Sequence, residues 1–514
     1  MSKKVKLFIL ITSTVAAVLF GLFAYISAKG PAVLASRLPA PSGSDPYVLF
    51  EAKEEYYPVS LSALLTEGQY AFFSEGSSGS DILSLAKNAK ECAVLIENSR
   101  DDIIDVFAAV RLDREAAASL SKGELPPSWE KILGPVGAVI KTGDKNSWEI
   151  RTRDSSLFYG TEKDIVLIAN DREPFSGLIK IRSGSAKGIS KKIWKKERSW
   201  PAHMILSDGG LLFAGEERKG PLTLHVSWRS QKADKESGKA GEAVWRIEGL
   251  DKRISPIFLK SLRPKTWDTA NSIIPDPLLV SAGINLPDLK GSPKDWPFPL
   301  GTIGELGASM GLEDEQIQKI LSGETIFSVG GYNKILWFSL PGIMVQFTGD
   351  KTLLAELIDA FWNKLLFGAE PKPLTGFDLG GSTSLPFSVV GAAKDNTAVL
   401  GLLSPESLKE KGSLGTFLKD NEKAVAWLVA DLPKVGAALG DMTKMNAFMN
   451  EPDINDDGYY GSDTEDIFQP DSSFSPFDQG ISNSFGNVLK RMGRALIVWE
   501  TAESGRISWY IGHK

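Results

Sequence analysis

Three lysines, Lys3, Lys4 and Lys6, precede an apolar run from Leu7 to Ile26 that carries no charge. About 20 residues at roughly 1.5 Å each cross a hydrocarbon core about 30 Å thick. The lysines favour the cytoplasmic side, so the sequence predicts a single-pass cell-membrane protein with its bulk outside the cytoplasm. The competing reading is a cleaved signal peptide, whose apolar core usually runs to about 7–15 residues. A cut after Ala28 would leave Ile26 at the third position before it, and a cut after Ala35 lies far from the apolar run. Either way the remainder is exported. Residues 1–29 then form the cytoplasmic lysines and the anchor, and 30–46 a linker punctuated by Pro31, Pro39, Pro41 and Pro46. Residues 47–262 and 263–514 are expected as two extracytoplasmic domains.

The 514 residues are 42% hydrophobic and 24% charged, a globular usage that can bury more than one core. The formal charge of −6 lacks the basic surface that phosphate binding needs, which argues against a nucleic-acid partner. The basic cluster Lys191, Lys192, Lys195, Lys196 and Arg198 fits a solvated helix face or an anionic-lipid patch. Cys92 is the only cysteine, so an intramolecular disulfide and a multi-cysteine zinc site are excluded. Its Cys-Ala-Val-Leu-Ile setting reads as a buried strand.

Period-two alternation marks strands. Leu222, Leu224, Val226 and Trp228 take one face, with Thr223, His225 and Ser227 on the other, wet face; Trp245 and Ile247 oppose Arg246 and Glu248 on the next strand. Trp148, Ile150 and Thr152 open a meander, and a hairpin closes the chain around Ser504 and Gly505. Asp350 caps a helix with an apolar stripe of Leu353, Leu354, Leu357, Ile358, Phe361 and Trp362. Further helices are expected from Glu313 to Leu321 and from Leu432 toward Met449. The predicted class is α+β, with antiparallel or mixed sheets covered by helices. The order strand, turn, strand, capped helix occurs after Ala93 and again after Phe387, which suggests two related halves dividing between Arg253 and Asn271, or simply a common unit used twice.

The single anchor, with the units Gly323-Glu-Thr-Ile-Phe-Ser-Val-Gly-Gly331 and Leu340-Pro-Gly-Ile-Met-Val-Gln-Phe-Thr-Gly349, resembles a class of bacterial envelope proteins known as domains of unknown function. That resemblance implies no catalytic residues and no ligand.

Chemistry concentrates in the acidic loop 451–478. Asp453, Asn455, Asp457 and Gly458 match the opening of a calcium loop, where oxygens at alternate positions converge on a hard cation. The twelfth position is Thr464 rather than glutamate, with the carboxylates Asp463 and Glu465 on either side of it, either of which a one-residue irregularity would bring into place. The same residues also read as an acidic loop without metal, or as a docking segment in which Tyr459, Tyr460, Phe468, Phe474 and Phe477 interleave with acids. The cofactor expectation is therefore none, or calcium. His203, His225 and His513 are too scattered for a helical zinc pair, and the serine–lysine spacings Ser84/Lys87 and Ser119/Lys122 lack companion motifs. Among 13 tryptophans, Trp129, Trp267 and Trp296 stand beside proline or charged residues and are the expected surface binding residues. These features predict a non-catalytic binding or scaffolding protein of the cell envelope, with the bilayer and another envelope protein as partners. The alternative is a hydrolase of envelope polymers that works through paired carboxylates.

Overall fold

The computed structural model describes residues 34–41, 47–53, 78–100, 103–144, 146–152, 155–189, 202–208, 222–230, 239–252, 254, 256–267, 272–286, 289, 292, 296, 300–335, 338–384, 387–409, 418, 423–438 and 493–510. The Leu7–Ile26 segment, the basic cluster and the acidic loop lie outside them. Among the described residues, no helix is long and apolar enough to cross a membrane.

The first part of the chain supplies β1 (Tyr47–Lys53), α1 (Ser78–Lys87), β2 (Glu91–Arg100), β3 (Ile103–Arg111), α2 (Arg114–Lys122), α3 (Pro127–Leu133), β4 (Ala138–Lys141) and β5 (Ser147–Arg151). It continues through β6 (Ser156–Glu162), β7 (Ile165–Ala169), α4 (Arg172–Arg182), β8 (Ala202–Ser207), β9 (Thr223–Ser230) and β10 (Lys239–Glu248). After α5 (Pro256–Ser261) come β11 (Lys265–Thr266), β12 (Ile274–Pro275), β13 (Leu278–Asn285), α6 (Leu300–Ser309), α7 (Asp314–Leu321), β14 (Glu324–Ile335) and β15 (Phe338–Thr348). Then follow α8 (Lys351–Ala360), β16 (Leu379–Thr383), β17 (Val389–Lys394), β18 (Thr397–Leu402), β19 (Leu408–Lys409), β20 (Lys423–Ala424), β21 (Ala426–Asp431), β22 (Arg494–Trp499) and β23 (Ser504–Tyr510).

Among the described residues, one 19-stranded sheet joins all strands but the short pairs β11–β20 and β12–β19. From edge to edge the pairings run β4-β5-β6-β7-β3-β2-β1-β8-β9-β10-β23-β22-β21-β13-β14-β15-β18-β17-β16, every one antiparallel. This overturns the α+β expectation of antiparallel or mixed sheets covered by helices. Helical patterns were read locally, whereas the β10–β23 pairing fuses what local patterns suggest are separate sheets.

The order from β5 inward to β10 matches the order from β16 inward to β23. Rows of paired residues show the match. Outward from Val244, the row reads Ser227, His203, Glu51, Ala93, Ala109, Leu167, Gly160. Outward from Arg506, which pairs with Val244, it reads Val498, Trp427, Gly283, Ile326, Gln346, Val399, Ala392. The repeated units are thus not the expected ones: β2–β3 matches β14–β15, and the β17–β18 hairpin matches β6–β7. The helix expected after Pro405 is a three-residue 3-10 turn, Pro405–Ser407, followed at once by β19.

Both sheet faces are buried near β1–β3. On the near face α1, α2 and α3 pack Ile82, Leu85, Leu120 and Trp129 against Val94, Val106, Ala108 and Tyr159. On the far face the 3-10 turn Leu34–Arg37 and α4 cover Leu49, Leu95, Phe107 and Leu167. Part of the expected linker is therefore core, because Leu34, Ala35 and Leu38 are apolar and Ala35 donates its N–H to Glu51 Oε2 at 3.1 Å. The near face of the second set is covered by α6, α7 and α8, with the α8 stripe burying Leu354, Leu357 and Ile358.

Candidate binding site

The site lies on the near face of the second strand set. Counting along the matched rows, Ile343 on β15 occupies the place that Val106 holds on β3. Val106 is 0% exposed, because α1 lies over β2 and β3. Ile343 is 56% exposed, with its row partners Val329 at 38% and Leu402 at 46%. Between β13 and β14 the described residues form two helices: α7 touches β15, and α6 packs on α7. Between them and the sheet is a hollow of about 290 Å³. Ile303, Leu306, Ile320, Phe347, Leu357, Phe361, Leu365 and Leu400 wall it, and the exposed pair Ile343 and Leu402 continues its floor to the surface. All of its described lining residues are apolar or glycine.

Tyr159 in the first set corresponds to Gly391 in the second. Tyr159 projects from β6, meets Trp129 edge-on at 5.8 Å and donates its hydroxyl to Leu120 O at 3.2 Å. Gly391 leaves that space to the α8 side, where Phe361 and Trp362 enter and Trp362 Nε1 donates to Gly391 O at 2.8 Å. The wide turn Phe361–Leu365 that continues α8 sends two successive aromatic side chains inward. Phe361 is at once the partner of Gly391 and a wall of the hollow.

A second hollow, about 250 Å³, lies at the β10–β23 junction on the same face; among the described residues it is lined by nine apolar side chains and Asp208. On the opposite face His203 Nδ1 lies 2.7 Å from Ser227 Oγ, and Glu51 is the cross-strand neighbour of His203. His225 Nε2 is 3.7 Å from Glu248, whose Oε1 accepts from Arg246 at 2.8 Å. Burial first, and then the Glu248 charge, push the Tyr47 hydroxyl up. A glutamate–histidine–serine row resembles a hydrolytic arrangement, but Ser227 is 3% exposed and both hollows open on the other face. The face expected to be wet, with Thr223, His225 and Ser227, is buried at His225 and Ser227.

The surface expectation for the three tryptophans is corrected, since all are buried. Trp129 packs on Tyr159; Trp267 meets Trp427 at 5.7 Å and donates Nε1 to Ala424 O at 3.0 Å; Trp296 joins the α6–α8 core. Proline or charge beside a tryptophan reports its chain neighbours, not the surface its ring meets. Asp453, Asn455, Asp457 and Asp463 lie outside the described residues, as does His513. Among the described residues, no group of three or more His, Cys, Asp or Glu is placed to hold a metal. Ile343 and Leu402 were missed, although the alternation that marks a strand contained them; nothing local says which row a helix will fail to cover. Comparison with family models, curated proteins and solved structures returns no match.

Proposed function

We propose that this is a non-catalytic binding protein of the cell envelope, held at the membrane by Leu7–Ile26 with its bulk outside the cytoplasm, and that it holds a hydrocarbon chain in the second strand set. The supporting observation is the contrast between Val106, covered by α1, and Ile343, bare beside a hollow lined by apolar side chains. Interiors are packed close, and unfilled apolar lining forfeits dispersion contacts. A space of about 290 Å³ is nearly twice the roughly 150 Å³ apolar cavity that suffices to bind benzene.

Magnitudes set the ligand length. Each buried methylene contributes about 0.8 kcal/mol, so ten give roughly 8 kcal/mol. Association costs about 4–15 kcal/mol, so chains much shorter than this are not retained. A hydrolase would need two converging carboxylates, and no observation here favours that reading.

The test is mass spectrometry of organic extracts from protein purified out of native membranes in mild detergent. A hydrocarbon-chain compound in stoichiometric amount is expected. Leu402→Glu, at a half-exposed position, should lower its retention at least tenfold by placing a charge on the floor of the site. If the wild-type protein carries no such compound and takes up no added palmitate, the reading fails.

A further inference from the structure

Phe367, just beyond the wide turn that continues α8, combines a strained backbone with a bare side chain. Its φ is 54°, on the left-handed side, where the Cβ of an ordinary residue is crowded and where a helix end usually places glycine or asparagine. Gly368, next in the chain with φ 75°, is the kind of residue such a place ordinarily takes. The ring of Phe367 is 94% exposed, more than any other large hydrophobic side chain among the described residues. The turn that carries it is hydrogen-bonded: Leu366 N–H donates to Phe361 O at 3.1 Å, Gly368 N–H to Trp362 O at 2.9 Å and Ala369 N–H to Leu366 O at 3.0 Å. A ring left almost wholly in water repays none of the cost of its backbone, and outliers of this kind gather at functional surfaces.

The place of the residue gives the outlier a context. Leu365, two residues earlier, walls the hollow of about 290 Å³, and two residues span at most about 7 Å. We infer that Phe367 inserts into a lipid bilayer, its ring entering the boundary between headgroups and acyl chains, and that it thereby brings the hollow to the surface from which a hydrocarbon chain enters. The loading step rests on the hydrocarbon-chain reading above.

Size and charge favour a lipid surface over a protein partner. A stable protein interface buries about 800 Å² on each side, whereas one phenylalanine offers roughly 150–250 Å². The exposed residues around it, Lys364, Gly368, Glu370 and Lys372, add no apolar side chain. A lone ring suits a fluid apolar layer, which needs no matching shape. Two lysines against one glutamate leave the segment 360–377 with a net charge of +1, the sign that an anionic headgroup layer attracts.

Photocrosslinking of the full-length protein tests the inference, with p-benzoylphenylalanine at position 367 and vesicles of phosphatidylcholine and phosphatidylglycerol. Phospholipid adducts at position 367 are expected by mass spectrometry. The same yield is expected in Leu402→Glu, which weakens chain retention but leaves position 367 untouched. Adducts with a second copy of the chain, or no adduct, overturn the proposal; so does an adduct that disappears in Leu402→Glu, because its source is then the retained chain. Phe367→Gly suits the left-handed backbone, so its melting temperature should equal or exceed that of the wild type. Its uptake of palmitate from the vesicles should slow at least fivefold, while the amount retained at equilibrium stays the same. Uptake at the wild-type rate in that variant overturns the loading step. A wild-type protein that forms the adduct yet retains no chain would sink the hydrocarbon-chain reading and uphold the insertion.

Discussion

Asp81, in the first turn of α1, shows how one residue couples fold to solution conditions. Burial raises its pKa to about 6 from an ordinary value near 4. A helix N-terminus favours the charged form, so here desolvation outweighs the helix dipole. Between about pH 4 and 6 the folded chain holds a proton that the unfolded chain has released. Stability therefore falls as pH rises through that window and stays lower above it. Asp81→Asn removes the liability: the melting temperature should rise at pH 7.5 and change little at pH 3.5, as thermal unfolding at the two values would show. An equal shift at both values would mean that the carboxylate's charge is not the cause.

At the scale of single elements, much was legible. The Asp350 side chain accepts from Thr352 N at 3.0 Å and Leu353 N at 3.1 Å, as its place before an apolar stripe implied. Asp350→Ala should cost about 1 kcal/mol in chemical denaturation, because two amides at the helix start lose their acceptor. A loss below a few tenths would show that packing of Leu354, Leu357 and Ile358 alone sets the helix. The β5–β6–β7 meander and the β22–β23 hairpin follow alternation closely, because neighbouring strands joined by short turns need only local information. The pairings β1–β8, β13–β21 and β10–β23 join residues far apart in sequence, and no local pattern encodes them. The site was illegible for the same reason. Whether Ile343 is core or surface depends on where α6 and α7 settle, not on the residues beside it.

The whole molecule depends on the junction at β10–β23. Antiparallel sheets this wide expose two edges, and both are short: β4 has four residues ending in Lys141, and β16 is strapped by the Lys372–Ser382 bridge. The central junction has no such freedom. Ala430, Ala495, Ile507 and Trp509 from the second set belong to the same apolar core as α1, β3 and Tyr159 from the first, so the two sets share buried surface as well as a ladder. Cooperativity follows from shared burial, and the described residues should unfold in one calorimetric transition. Gly241 is the place to break the coupling. A leucine there has no room, because the ideal Cβ position is 2.0 Å from the Trp509 ring. Trp509 must then leave its seat, at a cost of about 1–3 kcal/mol for overpacking alone. Gly241→Leu is expected to split the single transition into two, with hydrogen exchange accelerating first along β10 and β23 and later in β6 and β17. A wild-type protein that already melts in two steps would show that the ladder joins the sets without coupling them, and a variant that keeps one transition would place the coupling elsewhere in the shared core.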